Sequence, residues 1–176
     1  MTKGRCMERS KLANKLLRII SEGDEIRPAE ILRFTKYRRE PYTHGIYLLY
    51  DVEDHIIYVG QLKGVDSSSL YQRFYGQGEK SHRYKRWFGE IAYLKFKLLD
   101  RIYDKHLDIV ERLVILAAGQ PIYNDVDTDP ARLDQYNWDD FTLQCWGLDT
   151  DFVKESDAKK AEAGVAIRDR GEGSKQ

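Results

Sequence analysis

Two cysteines, Cys6 and Cys145, are all that 176 residues contain. They lie far apart with no paired spacing, which excludes a disulfide framework and a thiolate zinc site and leaves two ordinary thiols. No apolar run approaches the roughly 20 residues that a bilayer-crossing helix needs. The opening residues, Met1-Thr2-Lys3-Gly4-Arg5-Cys6-Met7-Glu8, lack the apolar stretch of a secretory signal. The expected location is the cytoplasm, with no membrane partner. Net charge is missing as well: 29 Lys and Arg stand against 29 Asp and Glu, which argues against a uniformly basic binder of the histone kind. No internal repeat is visible. Gly76-Gln77-Gly78 reads as a flexible turn and only weakly as a phosphate cradle, because no strand-to-helix dinucleotide fingerprint surrounds it.

What is there suits one globular domain with extensions. The apolar fraction is 41% and the charged fraction 33%, enough for a packed core, and the length excludes two large domains. Charge is unevenly distributed. Residues 1–40 hold 11 bases and 6 acids (net +5), residues 61–100 hold 8 and 4 (net +4), and residues 121–176 hold 7 and 13 (net −6). A polyanion would be attracted to the first and second of these blocks and repelled by the third.

Leu12, Leu16, Ile19 and Ile20 recur at helical spacing over residues 8–20, with Gly23 as a stop, and Pro28 opens a second short helix through Phe34. The pattern predicts an N-terminal helical extension over residues 1–40. From Gly45 the period changes. Gly45-Ile46-Tyr47-Leu48-Leu49-Tyr50 and Ile56-Ile57-Tyr58-Val59-Gly60 are rich in strand formers and flank a polar turn, predicting a β-hairpin. The serines at 67–69 can cap a helix over Leu70–Tyr75 that ends at Gly76, residues 91–99 alternate as a third strand, and residues 104–118 form an amphipathic helix stopped by Gly119 and Pro121. The main domain is expected over residues 41–148, with Trp138, Phe141, Leu143 and Trp146 packing on it. Residues 149–176 form a charged tail, too poor in large apolar groups from 154 onward to order.

Several residues are candidates for chemistry. Glu111 flanks the apolar stripe of the last helix, where it either pairs with a base such as Arg112 or binds a hard cation such as Mg²⁺. Twelve tyrosines are present, with Tyr47 and Tyr58 at matching places in successive strands; strand packing alone accounts for such a pair. Residues 73–97 hold seven Lys and Arg among Tyr75, Tyr84, Trp87 and Phe88. That interleaving suits phosphate contacts plus base stacking, and equally a solvated face whose aromatics pack inward.

As a set these features resemble the GIY-YIG nuclease family. Gly45-Ile46-Tyr47 matches the first signature and Tyr58-Val59-Gly60 the second in its Tyr-Val-Gly form. A helix with Arg73, a strand, a helix with Glu111, and Pro121-Ile122-Tyr123-Asn124 follow in the family's order, over just under half the chain. The resemblance implies a compact α+β domain with a small three-stranded antiparallel sheet flanked by helices. It also implies hydrolysis of DNA phosphodiesters with one divalent ion, Mg²⁺ or Mn²⁺, giving 5′-phosphate and 3′-hydroxyl ends. On the matching positions, Tyr47 or Tyr58 acts as general base or positions it, its phenol pKa lowered by cation charge. Glu111 holds the metal, Arg73 clamps the phosphate, and Asn124 orients Glu111 or closes the site. This chain has Gln61 where many relatives have a lysine, with Lys63 as a substitute. It has Gln77 where some restriction enzymes have a histidine, with His82 as a replacement base or else a solvated histidine. Lys80, Arg83, Lys85 and Arg86 are the expected DNA contacts, while His44, His55 and His106 read as structural or surface residues. Sequence specificity would come from residues 1–44 or 125–148, and cutting both strands calls for a homodimer, for which the helix over 8–20 is one candidate surface. A DNA-binding domain that does not cut, and an unrelated α+β interaction module, are the competing readings.

Overall fold

The computed structural model describes residues 3–39, 42–63, 69–99 and 104–124. In chain order the elements are α1 (Lys3–Ser21), β1 (Asp24–Ile26), α2 (Pro28–Arg33), a 3₁₀ turn (Thr35–Arg38), β2 (His44–Tyr50) and β3 (Ile56–Lys63). Then come α3 (Leu70–Tyr75), two 3₁₀ turns (His82–Tyr84 and Arg86–Glu90), β4 (Tyr93–Leu98) and α4 (Asp104–Ala117). The sheet is antiparallel throughout, in the order β1-β4-β2-β3.

The expected three strands are therefore four. The added one, β1, is three residues long and pairs Asp24–Ile26 with Phe96–Leu94 of β4. So short a segment between two helices has no period of its own. It becomes a strand because β4 offers an unpaired edge and Ile26 is buried in docking there. Gly23 permits the approach, since a Cβ there would lie 2.2 Å from the carbonyl oxygen of Phe96.

The central strand β2 is buried from Gly45 to Tyr50, so the sheet is covered on both faces. α1 and α4 pack on each other and on one face, and Leu12, Leu16, Ile19 and Ile20 are buried, which commits the apolar side of α1 to its own domain. On the other face Tyr47 and Leu49 join Ile31, Tyr37, Tyr42, Leu70 and Phe74 in one cluster. Alternation along β2 thus places Tyr47 opposite the α1–α4 layer, towards α2 and α3.

Local signals behave as the residue chemistry dictates. The Ser69 hydroxyl accepts from the Gln72 amide and caps α3, and the Asp51 carboxylate accepts from the Glu53 and His55 amides to close the hairpin turn. Gly119, at φ +78°, ends α4. Among the described residues no helix is long and apolar enough to cross a membrane. The expected packing of Trp138, Phe141, Leu143 and Trp146, together with Cys145 and the tail, lies outside the described residues.

Candidate functional site

The β2–β3 pairing builds the site. Tyr47 lies opposite Gly60 and Leu49 opposite Tyr58, so both phenols project to the α3 side of the sheet, with ring centroids 6.2 Å apart. Gly60 is required by contact: a Cβ there would sit 2.3 Å from the ring and hydroxyl of Tyr47 and 2.7 Å from the ring of Tyr58. The glycine ending the second signature is thus the floor on which the first signature's tyrosine rests.

From α3, Arg73 reaches both phenols. Its Nε donates to the Tyr47 hydroxyl at 3.1 Å and its Nη2 to the Tyr58 hydroxyl at 3.4 Å. His82 arrives from the 3₁₀ turn after α3, with Nε2 2.7 Å from the same Tyr47 oxygen. That oxygen also accepts from Arg73. His82 is 2% exposed, which rules out the solvated alternative. Trp87 stacks on Tyr58 at 5.3 Å and on Tyr123 at 5.2 Å, covering the Tyr58 ring. Tyr47 is fully enclosed, whereas Tyr58 retains some exposure.

Gln61 alternates to the opposite face of β3 and meets α4. Its amide nitrogen donates to Asp108 at 2.6 Å and to Glu111 at 2.9 Å. Lys63, two residues further on the same face, holds both Asp108 oxygens at 2.9 Å. Lys63 therefore pairs with Asp108, and Gln61, in the lysine's usual place, bridges the two carboxylates. The sequence reading missed Asp108. Its signal was legible, because an acid three residues before Glu111 shares a helix face with it.

Electrostatics couple the two faces across the edge of β3. Burial, and next the negative charge of Asp108, push the Glu111 carboxyl up to about 7, against the opposing charges of Arg73, Lys63 and Arg112. Burial, then Arg73 and Lys85, push the His82 imidazole down to about 3, so it stays neutral. Burial raises both phenols above the ordinary tyrosine value; Arg73 opposes this, and Glu111 adds to it. The expected lowering by cation charge is thus present but outweighed by desolvation.

Asn124 does not reach Glu111 by any hydrogen bond described. Its side-chain oxygen accepts from the Val59 amide and its nitrogen donates to the Val59 carbonyl, both at 2.8 Å, while the Tyr123 amide donates to Ile57. Residues 123 and 124 thereby cover the outer edge of β3. Lys80, Arg83, Lys85 and Arg86 are all exposed around the His82 turn, with Arg83 over the Tyr84 ring at 4.5 Å, while Trp87 and Phe88 pack inward. Of the other histidines, His55 lies at the surface against Asp51 and His106 is buried.

Among the described residues no group of three or more His, Cys, Asp and Glu side chains forms a metal cage. The donor set does fit one hard cation completed by water and phosphate: two carboxylates one helical turn apart, one of them largely desolvated. No family model, curated protein or solved structure matches this chain. The described fold is a mixed α/β domain with a four-stranded antiparallel sheet, and the site stands on its own geometry.

Proposed function

We propose that this chain is a metal-dependent endonuclease that hydrolyses DNA phosphodiesters in the manner of GIY-YIG nucleases. One observation carries the reading: Tyr47, Tyr58 and Arg73 meet on one face of the sheet, with Arg73 bonded to both phenols, and Glu111, on the α4 side of β3, is near enough to act electrostatically on all three. Strand packing explains two neighbouring tyrosines. It does not explain why an arginine is half-buried between their hydroxyls beside a carboxyl pushed up to about 7.

In the reaction a water oxygen bonds to phosphorus, the bond to the 3′-oxygen breaks, that oxygen takes up a proton from solvent, and the ends are 5′-phosphate and 3′-hydroxyl. Arg73, still bearing N–H groups beyond those used on the phenols, clamps the non-bridging oxygens as their charge grows. Tyr58, the phenol that retains exposure, orients the attacking water, whose proton passes to solvent, while Tyr47, bonded to Arg73 and His82, fixes the guanidinium. Tyr47 is enclosed, so Tyr58 is the phenol the water meets first. Glu111, with Asp108 beside it, would hold Mg²⁺ or Mn²⁺, whose charge neutralises the phosphate and the departing oxygen. The Lys80–Arg86 stretch supplies backbone contacts that carry no sequence information.

The test is digestion of a defined duplex with and without Mg²⁺ or Mn²⁺, followed by sequencing of the ends. Metal-dependent cuts lost in Glu111→Ala support the reading. A second reading, binding without cleavage, is favoured by the occupation of Lys63 by Asp108 and of Glu111 by Gln61. It predicts salt-dependent binding, no nicks, and no effect of Glu111→Ala.

A further inference from the structure

The site does not use the most basic exposed segment outside it. Residues 33–39 contain Arg33, Lys36, Arg38 and Arg39 and no acid. All four are exposed, and no described acid forms an ion pair with any of them. The nearest described acid in sequence, Glu30, is turned back to accept from the Arg27 amide at 2.7 Å. A merely solvated segment usually mixes both signs; residues 33–39 are of a single sign and carry aromatics. Arg33 lies over Phe34 at 5.3 Å, Lys36 over Tyr37 at 4.8 Å and Arg38 over Tyr71 at 4.0 Å, and Phe34 is itself 42% exposed.

The segment is fixed to the helix that carries the candidate phosphate clamp. Tyr71 and Tyr75 line one side of α3; the first stacks under Arg38 and the second donates to the Pro28 carbonyl at 3.0 Å. Arg73, two positions from Tyr71, leaves α3 on the other side towards Tyr47. The basic segment and the site are thus separated by one helix, about 10–12 Å across. Duplex DNA presents one phosphate charge per roughly 1.7 Å of axis, so a duplex with a phosphate at Arg73 carries several more across that width.

We infer that Arg33, Lys36, Arg38 and Arg39 form a second, non-catalytic contact for the phosphate backbone of duplex DNA, which holds the duplex across α3 while one phosphate occupies the site. The nature of the polyanion rests on the nuclease reading above. The test is binding of a fluorescent 20-base-pair duplex of arbitrary sequence by the full chain between 50 and 200 mM salt, read as the slope of log K against log salt. Replacing all four bases by Gln should reduce the slope by about 3–4, at roughly 0.9 per phosphate, and leave the cleavage rate of bound duplex unchanged. Arg33→Lys, Arg38→Lys and Arg39→Lys together should keep the slope. If the fourfold variant does not fold, Arg33→Gln with Arg39→Gln leaves Arg38 on Tyr71 and should lower the slope by about 2. A wild-type slope in the Gln variants, with wild-type protein binding and cutting normally, overturns this inference alone. No salt-dependent affinity in the wild type overturns the nuclease reading with it.

Discussion

Gly60 is the residue on which the site's geometry turns, because Tyr47 fills the space a side chain would need. Gly60→Ala should destabilise the fold by about 1–3 kcal/mol through overpacking, measurable by urea unfolding, and should lower activity more than stability alone predicts. Arg73→Lys keeps the charge but not the fork that spans two hydroxyls, and cleavage should fall about 10²–10³-fold. Two buried groups give opposite pH signatures in metal-free protein. Glu111 titrates near 7 when folded against 4.5 as a free group. The folded state therefore binds the extra proton, and stability from this group is present below 4.5 and lost as pH rises to 7. His82 titrates near 3 against 6.5, so its contribution is present above 6.5 and lost as pH falls towards 3. Glu111→Gln should remove the loss between 4.5 and 7, and His82→Gln should flatten the acid limb; thermal melts from pH 3 to 8 without divalent ions read both.

At the scale of elements, the sequence was informative where chemistry is local. The Ser69 cap, the Gly119 stop, the hairpin and the amphipathic α4 follow from side chains within a few positions of one another. β1 was not legible, because three residues acquire strand geometry only from the edge of β4. Asn124 illustrates the same limit: its place in a family motif suggested Glu111 as its partner, while its hydrogen bonds run to the backbone of Val59, 65 positions away. Asn124→Ala should therefore leave a buried amide and carbonyl unpaired and cost about 2–3 kcal/mol. Divalent-ion affinity, measured by calorimetry, should stay close to wild type; a large loss of affinity at unchanged stability would instead place Asn124 with Glu111.

At the scale of the molecule, the tyrosine, arginine and glutamate candidates were readable from motif order, and so was the antiparallel hairpin that aligns the first two. Their environments were not. That His82 is sealed away, that Trp87 roofs Tyr58, and that Asp108 and Glu111 share Gln61 as a donor all depend on which segments cross in space. The same crossing joins the His82 turn, α3 and the segment around Arg38 into neighbouring surfaces, though in sequence they are separate charged stretches.

The covering of β3 by Tyr123 and Asn124 bears on association. The Ile57 carbonyl and the Val59 amide and carbonyl along that margin of the sheet are already engaged, and the opposite margin, β1, is only three residues long. Neither margin offers a long open template on which a second chain could add a strand, so concentrated protein should resist fibril formation by edge-to-edge growth.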